Sequence, residues 1–415
     1  MARNTGKTQY GLRKARQLRW VFLVLTFAIS MVGYADRQFL ALLKPVLDAQ
    51  FHWLPSDYGW MTTGFQIAIA VSLLGAGWFL DRVGLRWGFA IGLAGWSLAS
   101  GLHAAARTVP QFIAARVALG IFESVGTPAG MKALASFFGA EERAMTIGIV
   151  NAAPNIATIV TPLVVSGLYV AVGWQWTILC LAGTGFMCLA FWLVLPFDRM
   201  AEARPGGPPV LVAPGGWMPF RDRNAWVLAA LKLLTDQAWW FMLFWLPDFL
   251  HRRFDLDMRH LGAPVAVIYA MATAGGLIGG AAPRLIKANT GLEFGRARAV
   301  AMAVFAVLVI PIAGITWVHS LWPSVLIAGL ALACHQGFSA NVFALAADIF
   351  PAARIATAIG FAAFFGNIGG AAMAQTAGLL LEHHGTLTPM FFVCASGYSI
   401  AWMVMHLFRV PAAPV

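Results

Sequence analysis

Gly77-Trp78-Phe79-Leu80-Asp81-Arg82-Val83-Gly84-Leu85-Arg86 joins two apolar stretches, 57–80 and 87–106. Each stretch reaches the length of about 20 mostly apolar residues that a bilayer crossing takes. Between them the glycines allow a tight turn. The acid and two arginines can clip onto neighbouring helix ends and so hold one conformation. An ordinary turn would not need an acid followed by basic residues at this spacing. Gly77, Asp81, Arg82, Gly84 and Arg86 therefore read as a gate latch between two membrane helices, with a weak second-half echo in Gly279, Arg284 and Lys287.

Outward from that turn, the same length criterion yields twelve segments. The first half gives 20–43, 57–80, 87–106, 110–137, 144–171 and 174–196, and the second gives 224–250, 262–286, 298–317, 320–347, 355–381 and 387–408. The fold class expected is an all-α membrane protein of two six-helix bundles, 20–196 and 224–409, preceded by a basic tail at 1–19. The connection 197–223 carries Arg204-Pro-Gly-Gly-Pro-Pro209 and Arg221-Asp-Arg223 and reads as a linker rather than a packed domain.

Composition agrees. Of 415 residues 60% are hydrophobic and only 11% charged, with a mean hydropathy of +0.74, whereas a soluble chain carries about a quarter charged residues. The 42 glycines and 17 tryptophans suit close helix packing and anchoring at the headgroup level. A net charge of +11 could point to nucleic acid, but the Lys and Arg residues fall in the connections, where they set topology. The tail, the loops holding Arg82 and Arg86, Arg143, Arg199, Arg221 and Arg223, Arg284 to Arg298, Arg354, and the end at Arg409 share one side. Arg252, Arg253 and Arg259 are the exception, partly balanced by Asp255 and Asp257. Both termini are thus expected in the cytoplasm, with the chain multi-pass in a plasma membrane. The basic tail and the long first apolar run argue against a cleaved signal peptide. Cys180, Cys188, Cys334 and Cys394 form no C-x-x-C and read as small buried hydrophobes.

An internal repeat pairs Phe138–Gly148 with Phe350–Gly360 at an offset of 212, which also carries Glu123 to His335 and Asn155 to Asn367. Near the starts of the halves an offset of 200 carries Asp36 to Asp236. Repeated halves of this kind form a substrate site at the midplane between them.

Charges within the apolar stretches single out Asp36, Arg37, Arg116 and Glu123. A charge at the centre of an inserted helix costs roughly 2.5–3.5 kcal/mol, so such residues mark a pathway for something charged. Arg116 and Glu123 are seven apart, which places them on one helical face about 10 Å apart along the axis. A carboxyl whose protonation depends on whether an arginine is engaged can couple proton uptake to anion binding. Asp36 beside Arg37 offers the same logic, although neighbouring side chains point about 100° apart. The alternative is a static charge network bracing the first half. Arg37 is the choice for a substrate carboxylate, since a guanidinium grips it through two bonds. Arg37 and Arg116 have no cationic counterpart in the second half on this reading, which offers amides, hydroxyls and aromatics instead.

The turn at 77–86 resembles the loop signature of the major facilitator superfamily, G-x-x-x-D-R-x-G-x-R. Further stretches resemble its anion:cation symporter branch: Tyr34-Ala-Asp36-Arg37, Arg116-Val-Ala-Leu-Gly-Ile-Phe-Glu123-Ser124, Glu142-Arg143-Ala144, Asn151-x-x-x-Asn155 and Trp240-Phe-Met-Leu-Phe-Trp245-Leu-Pro247. His335-Gln-Gly-Phe-Ser-Ala-Asn341 with Asp348-Ile-Phe-Pro351 resembles the hexuronate transporters within it, over approximately 18–409. The resemblance implies a proton symporter for sugar acids, with proton coupling at Asp36, Glu123 and Arg116. Tyr34, Arg37, Asn151, Asn155, Trp245, His335, Gln336, Ser339, Asn341 and Asn367 are the candidate substrate residues.

Amides such as Asn155 and Asn367 suit sugar hydroxyls because they donate and accept, though each can equally bond helix to helix. His335 can titrate or pack as a neutral ring. Asp236 reads as a gate partner or a cavity residue, and Trp239, Trp240 and Trp245 can stack on a sugar or anchor at the interface. His383-His384 reads as a solvated turn. The chain departs from its relatives at Gln66-Ile-Ala-Ile-Ala70, where they often carry Tyr or other aromatics, so this wall is expected to hydrogen-bond less. Pro128-Ala-Gly-Met-Lys132 stays close to the hexuronate type.

The sequence has no phosphate-loop motif, which disfavours an ATP-driven pump. It has no nucleophile–base or metal-ligand spacing, which disfavours a membrane enzyme. A proton is the expected coupling ion, with no other cofactor, no metal and no nucleic-acid partner, and a monomer as the working unit. Uniport, antiport, Na⁺ coupling or a non-transporting sensor are the alternatives.

Overall fold

The computed structural model describes residues 2–197 and 219–408, without the side chains of 2–16, 140, 141, 143, 144, 352, 353 and 356. Most of the expected linker, with Arg199 and Arg204, and the Arg409 end lie outside the described residues, as does the side chain of Arg143.

Long helices dominate because a helix satisfies its own backbone hydrogen bonds in an environment that offers no water. The first half comprises α1 (Ala2–Phe51), α2 (Pro55–Val83), α3 (Leu85–Ala105), α4 (Val109–Glu123), α5 (Gly126–Phe137) and α6 (Ala140–Val194). The second comprises α7 (Arg223–Phe254), α8 (Met258–Thr290), α9 (Phe294–Val309), α10 (Leu321–Ile349), α11 (Ala352–His384) and α12 (Thr388–Leu407), with a 3₁₀ stretch Ile310–Trp317 continuing α9. Among the described residues ten helices are long and apolar enough to cross a membrane, one of them Met145–Val194. That one is broken at Gly173, whose φ of +81° only glycine adopts freely. The 21-residue α3 falls outside that set and packs against α4 and α6. The basic segment is not a separate tail in its backbone: α1 begins at Ala2 and runs on without a break.

The expected single segment 110–137 is two helices. Pro128 has no N–H to offer the Ser124 carbonyl and its ring crowds that carbonyl, a sufficient cause for a break. The Ser124 hydroxyl turns back to the Ile121 carbonyl at 2.7 Å. Glu123 is therefore the last residue of α4, beside a kink.

The connections alternate between two ends of the bundle. At one, the Phe51 end, Trp174 donates to Gln50 at 2.7 Å, Phe51 packs on Phe112, Ser56 N–H donates to Glu382 at 3.2 Å, and Arg253 donates to the Val318 carbonyl at 3.3 Å. At the other, the Gly84 end, Gly84 joins α2 to α3 with a φ of +86°, again in glycine's territory.

Close crossings lock each half. On α8 the space a Cβ would take at Gly279 is already filled by the backbone of Gly337 on α10. Asn341 clamps the same crossing, donating to the Gly279 carbonyl at 2.9 Å and the Gly337 carbonyl at 2.8 Å. Gly279→Val is expected to push the helices apart, and overpacking of this kind costs about 1–3 kcal/mol. A lowered unfolding temperature of the purified protein checks it; an unchanged temperature would mean the crossing yields.

Candidate functional site

The four intramembrane charges lie together in the first half, and Arg37 brings them to the seam between the halves. Arg37 Nε donates to Glu123 Oε1 at 2.5 Å. Its guanidinium carbon lies 4.7 Å from the Tyr34 ring centre and 5.6 Å from that of Trp240 on α7. One cation thus bridges a carboxylate of the first half and an indole of the second. Arg116, almost wholly buried, donates from Nη1 to the Asp36 backbone carbonyl at 3.2 Å and packs between Phe39 and Phe65. Among the described residues its Nε and Nη2 have no partner, and neither has Glu123 Oε2. The Asp36 carboxylate accepts from Trp96 Nε1 and Ser100 Oγ, both at 2.6 Å, on α3.

Helix geometry explains these partners. Adjacent residues diverge by about 100°, so Asp36 turns into the first bundle while Arg37 faces the seam. Seven residues along a helix span about 10 Å, which leaves Arg116 a full turn and more short of Glu123. The contact the sequence left open is Arg37–Glu123, while Asp36 is held by neutral donors.

Of the other candidates, Asn155 Oδ1 accepts from Gln336 Nε2 at 3.4 Å across the halves, while Asn151 is exposed. Trp245 is fully buried and meets Tyr58 edge-on at 5.1 Å; its indole N–H has no partner among the described residues. His335 Nδ1 lies 2.8 Å from the Tyr398 hydroxyl, and its ring stacks on Trp239 at 5.2 Å. These contacts belong to a packed core. Asn341 serves the α8–α10 crossing described above, and Asn367 donates to the Ala363 carbonyl of its own helix at 2.9 Å.

The second half does contain a cation. Lys232 pairs with Asp236 at 2.8 Å, lies 3.4 Å from the Ser339 hydroxyl and sits over the Phe343 ring. Lys232 is not at the repeat positions of Arg37 and Arg116, which are Gln237 and Ala328, but it adds a buried cation to a half read as offering mainly amides, hydroxyls and aromatics. Asp236 itself lies mid-helix on α7, where its carboxylate fills the space beside Gly366 of α11.

The turn at 77–86 clips onto its own half. Asp81 accepts from Lys132 of α5 at 2.7 Å, and Arg86 donates to the Leu193 carbonyl of α6 at 2.7 Å. Arg82 lies over Trp78 instead, and Gly77 faces open space.

A second charge cluster joins the halves at the Phe51 end. Lys44 of α1 pairs with Asp48 at 2.5 Å and with Asp248 of α7 at 2.9 Å. Arg252 pairs with Asp248 at 2.9 Å and with Asp48 at 3.1 Å. Lys44 and Asp248 are fully buried. Tyr58 adds a hydrogen bond to the Phe244 carbonyl, and Thr63 one to the Ala371 carbonyl, both at 2.9 Å. At the Gly84 end Arg19–Glu142, Lys132–Asp81 and Arg298–Asp348 each stay within one half. The cluster's sequence signal was there: Asp248 lies inside the window 224–250, and Lys44 and Asp48 follow directly on 20–43.

The bundle, the seam and its charges meet a matching profile, the Major Facilitator Superfamily, over residues 25–373. The chain belongs to that superfamily. It is a multi-pass membrane transporter and not an enzyme. It is 24% identical to the hexuronate transporter of Escherichia coli K12, over 95% of this chain and 96% of that one. It is 24% identical to the D-galactonate transporter of Escherichia coli O6:H1, over 92% and 94% of the two chains. The galacturonate transporter of Dickeya chrysanthemi is 25% identical over 66% of this chain and 84% of its own. Among solved structures, the D-xylose–proton symporter superposes with a TM-score of 0.72 at 12% identity, covering 95% of this chain and 99% of that one. An inward-facing, occupied bacterial homolog of the human lysosomal transporter Spinster gives 0.71 at 14% identity, covering 95% of each chain. At these identities the likeness is one of fold.

Proposed function

We propose that the chain is a proton-coupled symporter that imports a small organic anion, a sugar acid such as a hexuronate or aldonate, by alternating access. The observation that carries the reading is Arg37, whose guanidinium at the seam is shared between the Glu123 carboxylate and the rings of Tyr34 and Trp240. A substrate carboxylate and Glu123 compete for the same cation. Protonation of Glu123 weakens its hold on Arg37 and frees the guanidinium for a bidentate grip on the substrate. Asp36, behind it, is a second carboxyl able to take a proton. The names of the relatives, transporters of hexuronate, galactonate and galacturonate, support this substrate class.

Counting α3 and both arms of α6 gives twelve crossings, with both termini in the cytoplasm. The Phe51 end is then extracytoplasmic, and its ion pairs close it. The cycle runs from that end: protons and the anion enter, the halves rock, and the higher cytoplasmic pH strips the protons and restores the Arg37–Glu123 pair. The working unit is a monomer in the bilayer.

Uptake of a labelled hexuronate and a labelled aldonate into proteoliposomes tests the reading. Accumulation driven by an imposed pH gradient, and not by a Na⁺ gradient, is expected. Equilibration without accumulation would make it a uniporter, and Na⁺-driven accumulation would replace the coupling ion.

A further inference from the structure

Gln66 lies in the middle of α2, in the stretch where hydrogen-bonding capacity was expected to be poor. It is 0% exposed, and among the described residues neither its amide nitrogen nor its amide oxygen has a hydrogen-bond partner. A buried amide left in this way is destabilising where an apolar side chain of the same size would not be. Its surroundings tie it to the site. The position a Cβ would take on Gly370 of α11 lies 2.6 Å from Gln66 Nε2 and 2.5 Å from Trp240 Cδ1. The amide and the indole therefore meet over the bare Cα of Gly370, from opposite halves. The same indole carries the Arg37 guanidinium within 5.6 Å of its ring centre. Next to Gly370, Ala371 accepts the cross-half hydrogen bond from Thr63, so Gln66 sits in the seam that alternating access must part.

We propose that Gln66 is a specificity-determining residue that hydrogen-bonds the hydroxyl groups of a sugar acid whose carboxylate is held by Arg37. The inference rests on the substrate class proposed above. One amide supplies two donors and an acceptor, which matches a hydroxyl that both accepts and donates. Trp240, which touches both the amide and the guanidinium, is the aromatic ring beside which a pyranose would lie once the seam parts. The wall formed by 66–70 is thereby a reader of hydroxyls through a single amide, and the expectation that it hydrogen-bonds less than in relatives with aromatics is reversed at this one position. A site built to pair with a hydroxyl rejects an analogue lacking it strongly, because its own polar group is then left unpaired.

Equilibrium binding to the purified full-length protein tests this, using glucuronate and cyclohexanecarboxylate, which share the carboxylate and ring size and differ in hydroxyls. Wild type is expected to prefer glucuronate by at least about tenfold. Gln66→Met, nearly equal in volume and without strong donors, is expected to weaken glucuronate binding by about tenfold and leave cyclohexanecarboxylate binding unchanged. Gln66→Asn keeps the amide and is expected to recover part of the preference. Full preference in Gln66→Met, or equal weakening of both acids, would overturn the role of Gln66 while the substrate class stands. A wild type that binds neither acid would instead overturn the substrate class, and this inference with it. Gln66→Leu serves as the second variant if the Met protein does not fold.

Discussion

Glu123→Gln is expected to abolish accumulation of substrate against its gradient while counterflow exchange continues at close to the wild-type rate. Glutamine keeps the volume and the oxygen that accepts from Arg37 Nε in the 2.5 Å contact, but it carries no charge and takes up no proton. In the proposed cycle the carboxylate competes with the substrate for Arg37, and the amide competes far less, because hydrogen bonds to an ionised acceptor are roughly twice as strong as neutral ones. Substrate binding therefore persists or tightens in the variant. Exchange needs only the loaded carrier to reorient, so it survives. Accumulation needs a proton to be carried in and released on each turn, so it is lost. A gradient of one pH unit is worth about 1.4 kcal/mol per proton, enough for about tenfold accumulation at one proton per substrate. In proteoliposomes under such a gradient, wild type is expected to reach about that ratio and Glu123→Gln to stop near equality. Accumulation unchanged in the variant would remove Glu123 from the coupling role.

Much of this molecule was legible in the chain because the bilayer imposes two simple rules. A crossing helix needs a long apolar run, and a charge inside such a run needs a reason. The first rule located the helices and the breaks at Gly84, Phe138 and Gly173; it missed the kink after Glu123, because Pro128 interrupts hydrogen bonding without interrupting hydrophobicity. The second rule found Asp36, Arg37, Arg116 and Glu123. It did not give their partners, since the contact between α1 and α4 depends on the rotation of each helix about its own axis. Trp96 and Ser100, which hold Asp36, lie in α3 and carry no charge to attract notice. Asn341 and His335 each allowed a cavity role or a packing role by type and position, and the structure uses both in packing. Gln66 was passed over for the opposite reason, one amide in an apolar run. The Lys44–Asp48–Asp248–Arg252 cluster was missed because it joins an i,i+4 acid–base pair of one half to that of the other, 204 residues apart in the chain, and each pair alone reads as helix-end charge.

That cluster leads to the second large effect. Lys44→Met is expected to shift the protein toward conformations open at the Phe51 end and to slow transport several-fold. Lys44 is fully buried between Asp48 and Asp248, and removing one partner of a buried ion pair costs about 3–5 kcal/mol. The cost falls on the closed state, where Asp248 stays buried with only Arg252 to neutralise it. When the end opens, Asp48 and Asp248 both reach water and the missing cation matters little. The equilibrium between the two conformations therefore moves by most of that difference, on the order of a hundredfold or more. Lys44→Arg keeps a cation within reach of both acids and is expected to stay near wild type. Spin labels at Leu54 and His383, at the Phe51 ends of α2 and α11, read the shift as a longer distance in the Met variant. A distance distribution unchanged by Lys44→Met would assign the closure to the Tyr58–Phe244 and Thr63–Ala371 hydrogen bonds, with the four charges as passengers on an end that neutral contacts already hold shut.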